Sequence, residues 1–380
     1  MPRLVPRNRC TVERVVSLFL CGDVMLGRGV DQILPHPGDP ALREASIRDA
    51  RRYVELAESV NGEIPSPVDF AWLWGDALPT LSELAPDVRL INLETSITRG
   101  DDFASGKAVH YRMSPANVPC LARLAPDVCA LANNHVLDFG PQGLADTLDA
   151  LRDADLCAVG AGRDERGARE PALVPISGGA RGVVVSCGMA SSGIPPSWAA
   201  TPDRAGVNFV PDLSERCAAE LIDQVKAVRR AGDLVVVSIH WGTNWGYAVP
   251  ADQRRFAHRL IDSGADVVYG HSSHHPRPIE IYHDKLVLYG CGDFVDDYEG
   301  IGRYEQYRDD LRLMYFASLD QDSGTLAGLR IVALQARKMR LHHASRADSA
   351  WLQTILDQVS RPFATRVDLE PDGTLAARGT

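Results

Sequence analysis

The sequence predicts an α/β protein in which layers of helix cover a buried sheet. Three observations lead there. Short β-branched runs ending in polar or glycine punctuation recur along the chain, and amphipathic helical patterns lie between them. The composition, 45% hydrophobic and 24% charged, is that of an ordinary globule. Apolar strands alternating with amphipathic helices bury their faces by stacking in layers. At 380 residues the chain can bury a full core. A prior of about 150 residues per domain allows two domains. With no low-complexity tract or linker between them, one catalytic domain is the expectation.

Taken in order, strands are expected at 17–21, 88–92, 128–132, 157–160, 182–186, 234–240, 267–270 and 286–289. Helical patterns fall at 43–59, 77–84, 141–153, 212–231 and 250–263. The phrase Ala-Pro-Asp-Val (85–88 and 125–128), with Gly-Ala-Asp-Val at 264–267, marks a helix end followed by a strand start. Two segments break this rhythm. Residues 35–69 are punctuated by prolines and carry one helix. Residues 296–312 are polar and aromatic and follow directly on a strand; long loops of this kind are solvated decoration or cover a site. The expected layout is an extension (1–16), a domain (17–340) carrying both insertions, and a tail (341–380) with a helix and a short strand.

Forty Lys+Arg against fifty Asp+Glu give a net charge of −10. An acidic chain without basic blocks excludes a nucleic-acid backbone or an anionic membrane as the main partner. Eight cysteines are scattered without a CxxC pair, mostly in apolar runs. That pattern argues against a zinc-thiolate or disulfide framework and for a reducing compartment. No apolar h-region precedes a small-residue cleavage site, and the run 15–21 is far short of the ~20 residues that span a bilayer. The expected location is cytoplasmic.

The placement of polar residues carries the functional information. Nearly every strand ends in a residue able to hold a cation or move a proton: Asp23, then Asn92 and Glu94, then Asn133, Asn134 and His135, then His240, then His271 and His274, then Asp293. In open α/β sheets, ligands bind outside the carboxyl ends of the strands. Taken singly, Asp23 reads as a turn or capping residue and His240 as a core histidine. Together they read as a polar active site. Its oxygen donors suit a hard divalent ion, and its imidazoles tolerate manganese, iron or zinc.

The blocks CGDVMLGRG, INLETSIT, LANNHVLDFGPQGLADTLDAL, VGAGRD, VVSIHWG, SGADVVYGHSSHHPRPIEIY and LVLYGCGDF run in order through residues 17–294. They resemble the poly-γ-glutamate capsule (CapA-type) proteins of the calcineurin-like metallophosphatase superfamily. The resemblance implies a calcineurin-like four-layer α/β/β/α sandwich with loop insertions. It also implies divalent metal, calcium, manganese or similar, held by Asp23, Glu94, Asn134, His240 and His271, and no organic cofactor. His135 takes the place of the acid/base histidine and His274 that of the final histidine. Three departures stand out. Met25 replaces the imidazole of the usual Asp-x-His block, Asn92-Leu93-Glu94 stands where phosphatases have Gly-Asp, and the group's usual Gly-Asn-Phe is Gly292-Asp293-Phe294. Losing the first imidazole weakens one of two metal positions, and phosphoryl transfer uses two.

What remains suits two-base proton exchange at a substrate carbon, with one imidazole removing an α-proton and another returning one to the opposite face. His135 with Asp23 or Asp293, and His271 or His274 with a neighbouring acid, are the expected pairs. The capsule-like group includes cytoplasmic enzymes that epimerise a residue in a ribosomal lasso precursor. The chain resembles them in lacking a membrane anchor and in its Arg/Ala/Gly-rich composition. The first expectation is therefore a metal-dependent peptide epimerase whose partner is a precursor peptide. The second is a divalent-metal-dependent hydrolase of phosphoester or γ-glutamyl amide bonds in capsule or polymer metabolism. The third is an assembly scaffold with a vestigial site. Asn92, Arg28, Trp241, Trp245 and Tyr298 are expected to contact substrate. Trp72, Trp74, Trp198, Tyr247, Tyr304 and Tyr307 could extend an apolar groove, and Lys107, Arg112 and Arg303, like Arg28, could clamp a carboxylate.

Overall fold

Alternation along each strand sends successive side chains to opposite faces, and here both faces are buried. In the computed structural model, which describes residues 14–176, 179–302 and 304–380, the strands form two large sheets. One has ten strands. Its backbone order runs 365–369, 375–379, 326–336, 311–320, 15–24, 88–93, 128–130 and 157–159, with Asp293–Val295 paired to the strand at 15–24 and Leu341–His343 to the strand at 326–336. The other has seven, ordered 209–210, 181–189, 234–240, 267–271, 285–288 and 279–282, with Ala172–Pro175 at its side.

Leu18, Leu20, Leu90 and Val128 of the first sheet pack with Val184, Val236 and Tyr269 of the second in one core between the sheets. Their alternates face outward. Phe19, Ile91 and Cys129 meet helices Ala77–Leu84, Val118–Leu124 and Gly140–Asp153. Val183, Val235, Val237 and Val268 meet helices Glu215–Lys226 and Ala251–Asp262. Each such side chain contributes about 1.5–3 kcal/mol on full burial. The result is helix, sheet, sheet, helix, the four-layer α/β/β/α sandwich expected. Strand Leu234–His240 shows why its sequence is nearly all apolar: it is buried throughout and parallel to both neighbours.

The recurring Pro-Asp-Val and Ala-Asp-Val phrases gain a physical role. Ala85 and Ala125 close their helices in the left-handed conformation. The aspartate that follows then grips the neighbouring strand with two hydrogen bonds. The Asp87 N–H donates to the Ser17 carbonyl (2.8 Å) while its carboxylate accepts from the Ser17 N–H (2.8 Å). Asp127 holds Arg89 in the same way (2.9 and 2.7 Å), and Asp266 holds Val235 (both 2.8 Å).

Several boundaries differ from expectation. The helix expected from 43 begins at Arg51, because residues 41 and 49 pair across an isolated bridge. The helix expected over 212–231 is Glu215–Lys226, its start set by the Ser214 hydroxyl accepting from the Cys217 N–H at 3.3 Å. The tail 341–380 holds a helix, Arg346–Ser360, and three strands rather than one: Leu341–His343, Thr365–Leu369 and Leu375–Gly379, all in the ten-stranded sheet. Cys10 and Arg303, like residues 1–13, lie outside the described residues.

Candidate metal centre

Strand register assembles the site. On the first sheet Asp23 is in register with Asp293 on one side and Asn92 on the other. On the second, His240 is in register with His271. One sheet edge thus supplies carboxylates and an amide, and the other supplies imidazoles. Two parallel Cys-Gly-Asp tripeptides, 21–23 and 291–293, lie side by side, with the Asp23 N–H donating to the Gly292 carbonyl at 2.9 Å. Gly22 is required there, since a Cβ would sit 2.2 Å from that carbonyl oxygen. Ser272, strained at φ 97°, points its N–H at the Asp23 carboxylate (3.1 Å).

Around Asp23 the donors fall into two groups. Asp23, His240 and His271 form one, and Asp23, His274 and Asp293 the other; within each, one ligand atom per residue lies within 4.8 Å of the rest, and every residue is buried. Asn134 joins the first group, its Oδ1 2.9 Å from His240 Nε2. The Nδ1 atoms of His240 and His271 are 2.7 Å apart, and Ser238 Oγ holds His271 Nε2 at 2.8 Å. In the second group His274 Nδ1 is 2.9 Å from Asp293 Oδ1, with Asn244 Nδ2 3.1 Å from its Nε2. Glu94 lies between, 3.8 Å from His135 Nε2 and 4.0 Å from His240 Nε2.

The electrostatics fit a cation site. Burial and then Asp293 raise the Asp23 carboxyl, and burial and then Asp23 raise that of Glu94. Burial pushes His271 down to about 3, and burial with the neighbouring His271 holds His240 well below the usual range. Burial also disfavours charge on His274, but Asp293 and Asp23 outweigh it and hold this imidazole above its ordinary value. Asp293 Oδ2 is buried with no hydrogen-bond partner. Crowded carboxylates, neutral imidazoles and an orphaned carboxylate oxygen are the donor chemistry of a divalent cation site.

A cavity of about 490 Å³ opens over this centre, lined by Glu94, Lys107, Tyr111, Asn134, His135, Asn244, Ser272, His274 and Tyr298 among others. His135 is built into it by groups the sequence did not mark. Its Nδ1 lies 2.6 Å from Asp138 Oδ2, an acid three residues on, neither of the partners expected. Asp138 also accepts from the Tyr111 N–H (2.7 Å) and from Lys107, whose ammonium reaches the Asn134 carbonyl as well. Burial opposes charge on His135 most strongly, with Asp138 working the other way and Lys107 with burial, and its pKa falls to about 4. The spacing His-x-x-Asp in the turn just before helix Gly140–Asp153 was the available signal.

The residues expected to meet substrate divide. Tyr298 lines the cavity, its hydroxyl 3.0 Å from that of Tyr111. Arg28 also lines it, but its guanidinium is committed to Asp297 (Nε to Oδ2, 3.1 Å), Glu44 and the Tyr53 hydroxyl (both 3.0 Å). It is therefore a buttress, not an open clamp. Lys107 is likewise engaged, and Arg112 donates to the Gly100 and Asp39 carbonyls. Asn92 is wholly buried, bridging Asp23 (2.8 Å), Glu94 (3.2 Å) and Asn133 (3.1 Å), so it orders ligands instead of touching substrate. Trp241 turns to the helix face of its sheet and stacks on Tyr289, out of reach of the cavity. Trp74 donates to the Cys120 carbonyl and Trp72 to that of Lys338, both in the core beside the first sheet. Trp198 sits under Lys107 at 4.9 Å. Trp245 stacks on Tyr304 at 3.8 Å and flanks His274 at 5.5 Å, joining the 296–312 insertion to the site; Tyr247 and Tyr307 pack on His275.

Comparison with known proteins places the chain in a family. The family model described as bacterial capsule synthesis protein PGA_cap matches residues 17–298. A probable polyglutamine synthesis accessory protein of Mycobacterium tuberculosis is 56% identical over 362 residues, 95% of each chain. The capsule biosynthesis protein CapA of Bacillus anthracis is 24% identical, over 74% of this chain and 60% of its own length. The PGA biosynthesis protein CapA of Bacillus subtilis is 26% identical, over 77% and 66%. These relatives are named for capsule and polymer synthesis, which supports the polymer arm of the expectation and leaves the lasso-precursor epimerase arm without support. Among the described residues no helix is long and apolar enough to cross a membrane.

Proposed function

Since the chain belongs to the bacterial capsule synthesis PGA_cap family, we propose that it is a divalent-metal-dependent hydrolase acting on amide bonds of an amino-acid polymer made by such a system. The observation that carries this reading is the pair of donor groups sharing Asp23 beside a histidine whose Nε2 faces a cavity. Asp23, Asn134, His240 and His271 would hold one cation, and Asp23 with His274 would contribute to the other. Such ions, when bound, would supply positive charge to the carbonyl oxygen that becomes negative as water adds to the scissile carbonyl carbon.

The chain's own residues do the rest. Asp138 accepts from His135 Nδ1–H and thereby fixes the tautomer, leaving Nε2 unprotonated to take a proton from the attacking water and pass it to the departing nitrogen as the C–N bond breaks. Lys107 ties Asp138 to the Asn134 backbone, so the histidine and a metal ligand keep one relative position. Tyr111 and Tyr298 wall the cavity against water. The nearby cations, Arg28 and Lys107, are already paired with acids, which favours an amide over a doubly charged phosphate.

The test incubates the manganese-loaded full chain with glutamine and γ-glutamyl oligomers and, separately, with an aryl phosphodiester. Shortened oligomers, lost in His135→Gln, are expected. Intact oligomers with both positions filled would refute the proposal, and phosphodiester turnover alone would shift it to the phosphatase form. Deuterium uptake at an α-carbon without cleavage would restore the epimerase.

A further inference from the structure

Met25, two residues after Asp23, presents only a thioether, and its sulfur faces the Tyr298 hydroxyl at 3.8 Å. A thioether is a soft donor with little affinity for a hard cation. The second donor group around Asp23 must therefore be completed from elsewhere, and the register shows from where. Asp293 stands beside Asp23 on the paired strand, its Oδ1 holds His274 Nδ1 at 2.9 Å, and, apart from the neighbouring Asp296 carboxyl, nothing meets its Oδ2 although the residue is 0% exposed. An ion pair with His274 needs one carboxylate oxygen. The second is stripped of water and faces another acid. It belongs to a carboxylate with a ligand oxygen within 4.8 Å of donor atoms of Asp23 and His274, where a cation would meet all three residues.

Resting on the two-cation reading above, we infer that Asp293 is a direct ligand that completes the second position, making it a site of two carboxylates and one imidazole suited to a hard divalent ion. The first position, with two imidazoles and an amide, keeps the softer donor set. An asparagine at 293 could still accept a hydrogen bond from His274 through Oδ1. What it removes is the charge and the anionic oxygen.

Manganese binding to the full chain is counted by dialysis and metal analysis, with electron paramagnetic resonance reporting whether ions are coupled. Wild type is expected to hold two coupled ions, and Asp293→Asn one isolated ion bound as tightly as the first ion of wild type, which also shows that the variant is folded. Two ions retained in Asp293→Asn would overturn the inference alone; one ion in wild type would overturn the two-cation reading and the inference with it. Independently of any variant, anomalous diffraction from manganese-soaked crystals of wild type is expected to place an ion within about 2.6 Å of Asp293 Oδ2. An ion at Asp23 and His274 with that oxygen out of reach would overturn it.

Discussion

The two sides of Asp23 share one carboxylate and differ in almost everything else. On one side stand His240 and His271, buried, uncharged and steadied by Ser238 and Asn134. On the other stand His274 and Asp293, already ion-paired with each other, and behind them Asp296, whose carboxylate holds the buried Arg312 at 2.6 Å. The first side is ready to donate lone pairs as it is. The second must give up a proton before His274 can donate. A single aspartate thus separates a preformed site from one whose filling competes with protonation.

The contrast breaks most completely at its shared member. Asp23→Asn is expected to empty both positions in equilibrium dialysis and abolish turnover. Next, His135→Gln should leave both ions bound and lower kcat by about 10²–10⁴-fold, the usual contribution of a general acid. Ser238→Ala frees His271 Nε2 and should weaken only the first ion, by about 10–100-fold in calorimetric titration. Acidification should weaken the second ion before the first. His274 is held above its ordinary pKa and must lose a proton, whereas His240 and His271 are neutral well below it. Calorimetry in buffers of differing ionisation enthalpy should accordingly show more proton release on the second binding step, where His274 ionises, than on the first, where the shared Asp23 alone must lose its proton, and equal release on both would contradict the contrast. The smallest effect is Trp245→Ala, which loses the stack on Tyr304 and should cost about 0.5–1.5 kcal/mol of stability with metal stoichiometry unchanged.

The layered fold and the strand ends were legible because parallel strands buried on both faces need unbroken apolar runs, and a polar residue at the end of such a run stands out. Asp23, Asn134, His240, His271 and His274 emerge from that pattern and do converge. What escaped were pairings that only tertiary structure decides. Arg28 looks like an open cation until Asp297, 269 residues away, closes on it. Trp241 follows a ligand histidine directly, yet alternation sends it to the opposite face. Asp138 was hidden inside an apolar-looking stretch, though its spacing from His135 puts it within reach once the chain turns. The departure at 293, noted in the sequence as a deviation, becomes intelligible only beside the unpartnered oxygen.

The aspartates that tether Ser17, Arg89 and Val235 sit at the amino ends of their strands, while the mutually repelling acids crowd the carboxyl ends. Each tether locks two neighbouring strands where no chemistry takes place. The opposite margin can then accumulate like charge without prying the sheet open, so endurance and reactivity are assigned to opposite ends of the same few strands.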